Sequence, residues 1–203
     1  MSTLAVPHPR TVLAEVVLPR ALTRTGVTVA AGAALTALAA QVALPVPGSP
    51  VPVTGQTFAV LLVGAALGPG RAVASQALYL LLGVIGLPVF TQGAHGVEVL
   101  FGVTGGYLVG FLAAAAIAGL GARRGADRSV VRELAVAVAA SAAIYACGVT
   151  WLAAWTGMSL GAAVAAGMLP FLLGDALKAL LAAGVLPAAW KVVGAVESRD
   201  ESR

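Results

Sequence analysis

Between residues 26 and 193 the sequence is a succession of apolar runs. Six can be marked: 26–44, 56–67, 72–87, 105–120, 134–155 and 165–193. The chain is 60% hydrophobic and 10% charged, whereas soluble domains carry about 25% charge. There is too little polar surface to cover a globule, so the solvent is expected to be lipid. Lipid gives the backbone no hydrogen bonds, and a spanning segment must satisfy its own N–H and C=O groups. The polar–apolar alternation of membrane barrel strands is absent. The expectation is an all-α integral membrane bundle, with residues 26–193 as the membrane domain.

The basic residues set its topology. Arg10, Arg20 and Arg24 precede the first run, and Arg71 separates the second from the third. Arg123, Arg124, Arg128 and Arg132 separate the fourth from the fifth; Lys191, Arg199 and Arg203 lie at or beyond the end of the sixth. With six spanning helices all eleven fall on one side, which the positive-inside rule makes cytoplasmic. The opposite loops, 45–55, 88–104 and 156–164, hold no Lys or Arg. Both termini are therefore expected in the cytoplasm, with 1–25 an N-terminal segment and 194–203 a tail. Pro7, Pro9, Pro19, Arg10 and Glu15 break the N-terminal segment too often for a signal peptide.

The second run, "QTFAVLLVGAAL", covers about 18 Å at 1.5 Å per residue, short of the roughly 20 residues a full crossing takes. The loops on either side of the second and third runs, 45–55 and 88–104, are rich in Pro and Gly. Irregular backbone at membrane depth is tolerated where protein buries it or where it lines a cavity. These loops are expected to dip into the protein.

The twelfth basic residue is Lys178, which stands with Asp175 inside the sixth run. Three residues apart on a helix, they share a face. A charge in a span faces protein, water or a partner. The two either pair to hold the bundle together or form a binding site for a ligand with an anionic group and N–H donors. Thr54, Gln56, Thr57, Phe90, Gln92 and Tyr107 fall toward the same side and are candidate lining residues. Thr54 is equally suited to cap a helix, and Tyr107 to sit at the interface as an aromatic anchor. His95 and Glu98 read as solvated loop residues. In the first run Ala33 and Ala37, like Ala30 and Ala34, have the small-xxx-small spacing that lets another helix approach.

Several chemistries are not expected. Cys147, the only cysteine, allows neither an internal disulfide nor a multi-cysteine metal site. No glycine-rich loop carries the lysine spacing that cradles phosphates. His8 and His95, the two histidines, lie in loops, away from any candidate nucleophile. The basic residues form no stripe interleaved with aromatics, as nucleic acid would need. The chain reads as a non-enzyme with no cofactor, metal or nucleic-acid partner.

Residues 50–90, "PVPVTGQTFAVLLVGAALGPGRAVASQALYLLLGVIGLPVF", together with "GVTGGYLVGF" and "GDALKALLA", resemble the BioY family. These are the biotin-specific S components of energy-coupling factor (ECF) transporters. The resemblance covers roughly residues 26–193 and leaves the two tails outside. It implies a six-helix S-component bundle that captures biotin at the outer face. An ECF transmembrane coupling subunit and ATPase subunits would then drive uptake. The family's substrate-binding Asp and Lys match Asp175 and Lys178, and its A-x-x-x-A partner contact matches Ala33 and Ala37. Val103 stands where the family usually has proline in G-P-T-G-G-Y. The same residues also admit a self-sufficient secondary transporter in which Asp175 cycles a proton.

Overall fold

The computed structural model describes residues 12–19 and 22–200. His8, Arg10, Arg20, Arg203 and the Arg199 side chain lie outside the described residues, as do most of the expected N-terminal segment and the end of the tail. The helices in chain order are α1 (Leu13–Val17), α2 (Thr25–Ala40), α3 (Gln56–Leu67), α4 (Pro69–Val84), α5 (Val97–Leu100), α6 (Gly105–Arg123), α7 (Val130–Thr156), α8 (Leu160–Gly167) and α9 (Leu172–Asp200). Two short strands, β1 (Ala43–Leu44) and β2 (Val53–Thr54), pair antiparallel, Ala43 opposite Thr54 and Leu44 opposite Val53.

Local chemistry sets the boundaries. Gly68 takes φ +77° and Pro69 opens α4. A glycine at positive φ ends one helix without a Cβ clash, and proline at the first helical position loses no hydrogen bond. Gly157, at φ +72°, ends α7 in the same way. Ser159 caps α8 by accepting the Ala162 N–H at 3.3 Å.

Two expectations about segment ends are corrected. The first run stops as helix at Ala40, and the hairpin takes over at Ala43 because Pro45 and Pro47 lack the N–H donors a helix requires. The sixth run is two helices. Pro170 has no N–H with which to continue the α8 ladder, and α8 gives way to a 3-10 turn at Leu169–Phe171 before α9 begins. Pro187, by contrast, lies inside α9.

Among the described residues, three stretches are long and apolar enough to cross a membrane: α6, α7 and the α8–α9 unit at Leu160–Ala195. The expected first, second and third spans form shorter helices of 16, 12 and 16 residues. Of the three long stretches α6 is the most buried. It packs chiefly on α7, α3 and α4, and small residues permit the approach. A Cβ on Gly64 of α3 would lie 2.4 Å from the Ala118 Cβ of α6. At one end of the bundle α1 docks through buried Val12 and Ala14, with Glu15 3.3 Å from Arg71 of α4.

The face of α2 differs from expectation. Ala33 is 2% exposed and Ala37 packs on the core, so the close approach at this pair is internal to the chain. The pair turned outward is Ala30 and Ala34.

Candidate functional site

α9 carries Asp175 in its first turn, and Lys178 follows on the same face. Both side chains are mostly buried, 12% and 16% exposed, and Lys178 Nζ lies 2.9 Å from Asp175 Oδ1. The lysine also donates to Thr57 Oγ1 on α3 at 2.8 Å, and Thr57 donates to Asp175 Oδ1 at 3.2 Å. Tyr145 of α7 donates its hydroxyl to Asp175 Oδ2. Three helices are thus joined at one charged cluster. The N-terminal turn of α9 suits the carboxylate, because its backbone N–H groups carry the positive end of the helix dipole.

A second, uncharged cluster centres on Gln56. Its Oε1 accepts from Thr54 at 2.8 Å and from Thr91 at 3.3 Å, and its Nε2 donates to Tyr79 at 2.6 Å. Gln56 is 3% exposed and sits where α3 starts, beside the β2 strand that carries Thr54.

Between these clusters lies a cavity of about 190 Å³. Asp175, Lys178, Thr54, Gln56, Thr57, Phe90 and Tyr107 all line it, so the structure brings these candidates together. Much of the remaining lining is apolar, including Leu108, Phe111, Ile144 and Phe171. Both Pro/Gly-rich loops contribute: 45–55 through Val51, Pro52 and Thr54, and 88–104 through Phe90, Thr91, Ala94, Val99 and Thr104.

Two aromatics are seated by glycines. Phe90 meets Tyr79 edge to face, with ring centroids 5.5 Å apart, and a Cβ on Gly83 would lie 2.1 Å from the Phe90 ring. Tyr107 packs where a Cβ on Gly148 would be 2.3 Å from its ring. Its hydroxyl donates to the Gly167 carbonyl at 2.8 Å. Tyr107 therefore offers the cavity its ring, while its hydroxyl ties α6 to the end of α8.

Gln92 is the exception. It adopts φ 56°, ψ 35°, is exposed and does not line the cavity. Its left-handed turn carries the side chain outward, and the neighbouring Thr91 reaches inward instead. His95 and Glu98 are exposed. Sequence reasoning missed Thr91, Tyr79 and Tyr145 as site residues. The one available signal for Tyr145 was a lone phenol inside an otherwise apolar span, "ASAAIYACGV".

The comparisons with known proteins bear on this geometry. The model of the BioY family matches residues 10–195. A probable biotin transporter from Pyrococcus horikoshii is 39% identical over 149 residues, covering 73% of this chain and 85% of the relative. A biotin transporter from Thermotoga maritima is 40% identical over 138 residues, covering 68% and 80%. The fold matches the crystal structure of the S-component for biotin from an ECF-type ABC transporter. The TM-score is 0.76 at 24% identity, covering 86% of this chain and 95% of that one. With the family model spanning nearly the whole chain and the bundle shared with that S-component, the chain belongs to the BioY family.

Proposed function

We propose that this chain is the biotin-binding membrane subunit of an ECF-type uptake system and holds biotin in the cavity between α3, α6, α7 and α9. The observation that carries this reading is the pairing of one charged and one neutral polar cluster across apolar walls. Biotin has an anionic carboxylate, an apolar chain and a neutral ureido ring. Lys178 and Thr57 meet the carboxylate, and Gln56, Thr54 and Thr91 meet the ureido group. Asp175 positions Lys178: its two oxygens already accept from Lys178, Thr57 and Tyr145, leaving little of a carboxylate's acceptor capacity for ligand. Phe90 and Tyr107 supply ring faces to the apolar part.

In this reading the bundle spans the membrane six times with both termini cytoplasmic. The short α2, α3 and α4 count as spans, and the loops lacking Lys and Arg face outward. Biotin enters at that outer face, where both cavity-lining loops lie. Release inward is driven by an ECF transmembrane coupling subunit and ATPase subunits. The family membership and the S-component fold support this assignment over a self-sufficient secondary transporter.

Equilibrium binding of biotin to the purified protein, with no metal or nucleotide added, is the direct test. Saturable tight binding that survives chelation is expected. No binding, or binding abolished by chelator, would sink the reading. Biotin uptake by cells with and without the partner subunits separates the two transport modes: partner-independent uptake would favour the secondary transporter.

A further inference from the structure

Outside the bundle a second, larger hollow of about 590 Å³ runs between α7, α8 and α9. Its walls are mostly apolar, with Ser141 and Thr150 among them. On α7 they are built by Val138, Ala142 and Ala146, on α9 by Ala176 and Ala179. Val138 is 60% exposed and Ala142, Ala146 and Ala176 are exposed, so the hollow is a groove open along the outer surface of the bundle. The Thr150 hydroxyl in it is turned back onto the Ala146 and Cys147 carbonyls. The groove is therefore suited to hydrocarbon.

Among the described residues, Tyr145 and Asp175 alone line both this groove and the inner cavity, and they are hydrogen-bonded to each other. This side-chain pair belongs to the partition between the two spaces. Helical phase explains why Tyr145 stands there. Successive residues turn by about 100°, and Ile144 faces the inner cavity while Ala142 and Ala146 face the groove. Tyr145 occupies the boundary between the two faces. On the α9 side the boundary residue is Asp175, followed by the groove-lining Ala176.

We propose that Tyr145 determines ligand length: its ring is the wall that excludes biotin derivatives with an apolar tail, and removing the ring joins the cavity to the groove so that such a tail runs out between α7 and α9. This inference rests on the biotin reading above. In that reading the carboxylate end, where tails attach, lies at Lys178 and hence against the Tyr145–Asp175 wall.

The test compares biotin methylamide with biotin hexylamide. Both lack the carboxylate charge, so their ratio of dissociation constants reports tail length alone. The unaltered protein is expected to bind the hexylamide at least about tenfold more weakly than the methylamide, because the tail overpacks a closed wall. Tyr145→Ala should bring the two within about threefold. Tyr145→Phe, which keeps the ring and loses the hydroxyl, should preserve the discrimination. Ala176→Phe added to Tyr145→Ala refills the groove and should restore it. Tyr145→Val gives the same readout if the alanine variant does not reach the membrane folded. A ratio unchanged in the alanine and valine variants, while both still bind the methylamide, overturns the inference and leaves the biotin reading intact. Failure of the unaltered protein to bind biotin itself overturns both.

Discussion

Lys178 on α9 donates to Thr57 on α3 at 2.8 Å and lies 2.9 Å from Asp175 one turn behind it. One ammonium thus holds two helices together and faces the cavity they border. An isolated charge at this depth is costly, and the Asp175 carboxylate and the Thr57 hydroxyl offset part of that cost. The same arrangement leaves the lysine a donor for an incoming anion, since an ammonium has three N–H groups.

Lys178→Ala is expected to weaken biotin roughly 10- to 100-fold more than it weakens biotin methylamide. A charge-assisted hydrogen bond is worth about 1.5–3 kcal/mol. It should also lower thermal stability, because Asp175 is left buried without its counter-ion. Combining Asp175→Asn with Lys178→Met removes both charges. Stability should then return while discrimination for the carboxylate does not. Titration of both ligands and a melting curve in detergent check this. Equal losses for the two ligands would mean that the pair only holds the bundle.

Gly83 and Phe90 form a second coupled pair. A methyl at position 83 would sit 2.1 Å from the Phe90 ring, so the ring must leave its place against Tyr79. Gly83→Ala is expected to weaken biotin by about tenfold or more. Added to Phe90→Ala it should cost little further, because the clash is gone. The coupling in a double-mutant cycle, of about 0.5–3 kcal/mol, is the measurement. Additive losses would show that Gly83 acts elsewhere.

The legible part of this molecule was what depends on local composition. The apolar runs at 56–67, 72–87 and 134–155 located α3, α4 and the end of α7 to within a few residues. Asp175 and Lys178 stood out because charge in such a run demands a partner. Gln92 misled, since a polar residue in the right loop says nothing of its backbone. At φ 56° it points away while Thr91 points in. Tyr145 and Tyr79 went unread because an aromatic in an apolar run is ordinarily core, and their partners lie 30 and 23 residues away. Ala33 and Ala37 were found by spacing, but spacing does not say which face of α2 the bundle takes.

Asp127 and Trp190 give a pH-dependent expectation. Trp190 of α9 donates to Asp127 Oδ2 at 2.6 Å, tying that helix to the turn between α6 and α7. The Arg128 guanidinium stacks 4.2 Å from the Trp190 ring centre. Burial pushes the Asp127 carboxyl above its ordinary value, against the opposing pull of the Trp190 hydrogen bond and Arg128. A raised value in the folded state means that the stabilising contribution of Asp127 is full in acid. It declines as pH rises from the unfolded-chain value of about 3.9 through the raised one. Asp127→Asn keeps an oxygen for Trp190 and removes the ionisation, so it should match or exceed the parent in stability above that range. Asp127→Ala strands the indole N–H and should cost about 1–3 kcal/mol. Melting temperatures from about pH 4 to 8 decide the matter. A parent protein that gains on the asparagine variant as pH rises would contradict the assignment.

Substitutions on the outward face of α2 are expected to separate binding from transport. Ala30 and Ala34 are exposed, flanked by Val27, Leu35 and Leu38 at 45%, 42% and 70% exposure. Lipid gives little hydrophobic drive between helices, so a partner helix must gain from close packing, and alanine at four-residue spacing lets it come near. This face, not that of Ala33 and Ala37, is the one proposed to meet the ECF coupling subunit. Ala34→Trp is expected to leave biotin affinity in detergent within about threefold, because none of the cavity lining comes from α2. It should abolish co-purification with the coupling subunit and ATP-driven uptake. Ala33→Trp, at 2% exposure, should instead overpack the bundle and lower its melting temperature. Unimpaired assembly of the Ala34 variant would exclude this face as the contact. Loss of biotin binding together with assembly would show that α2 supports the cavity after all.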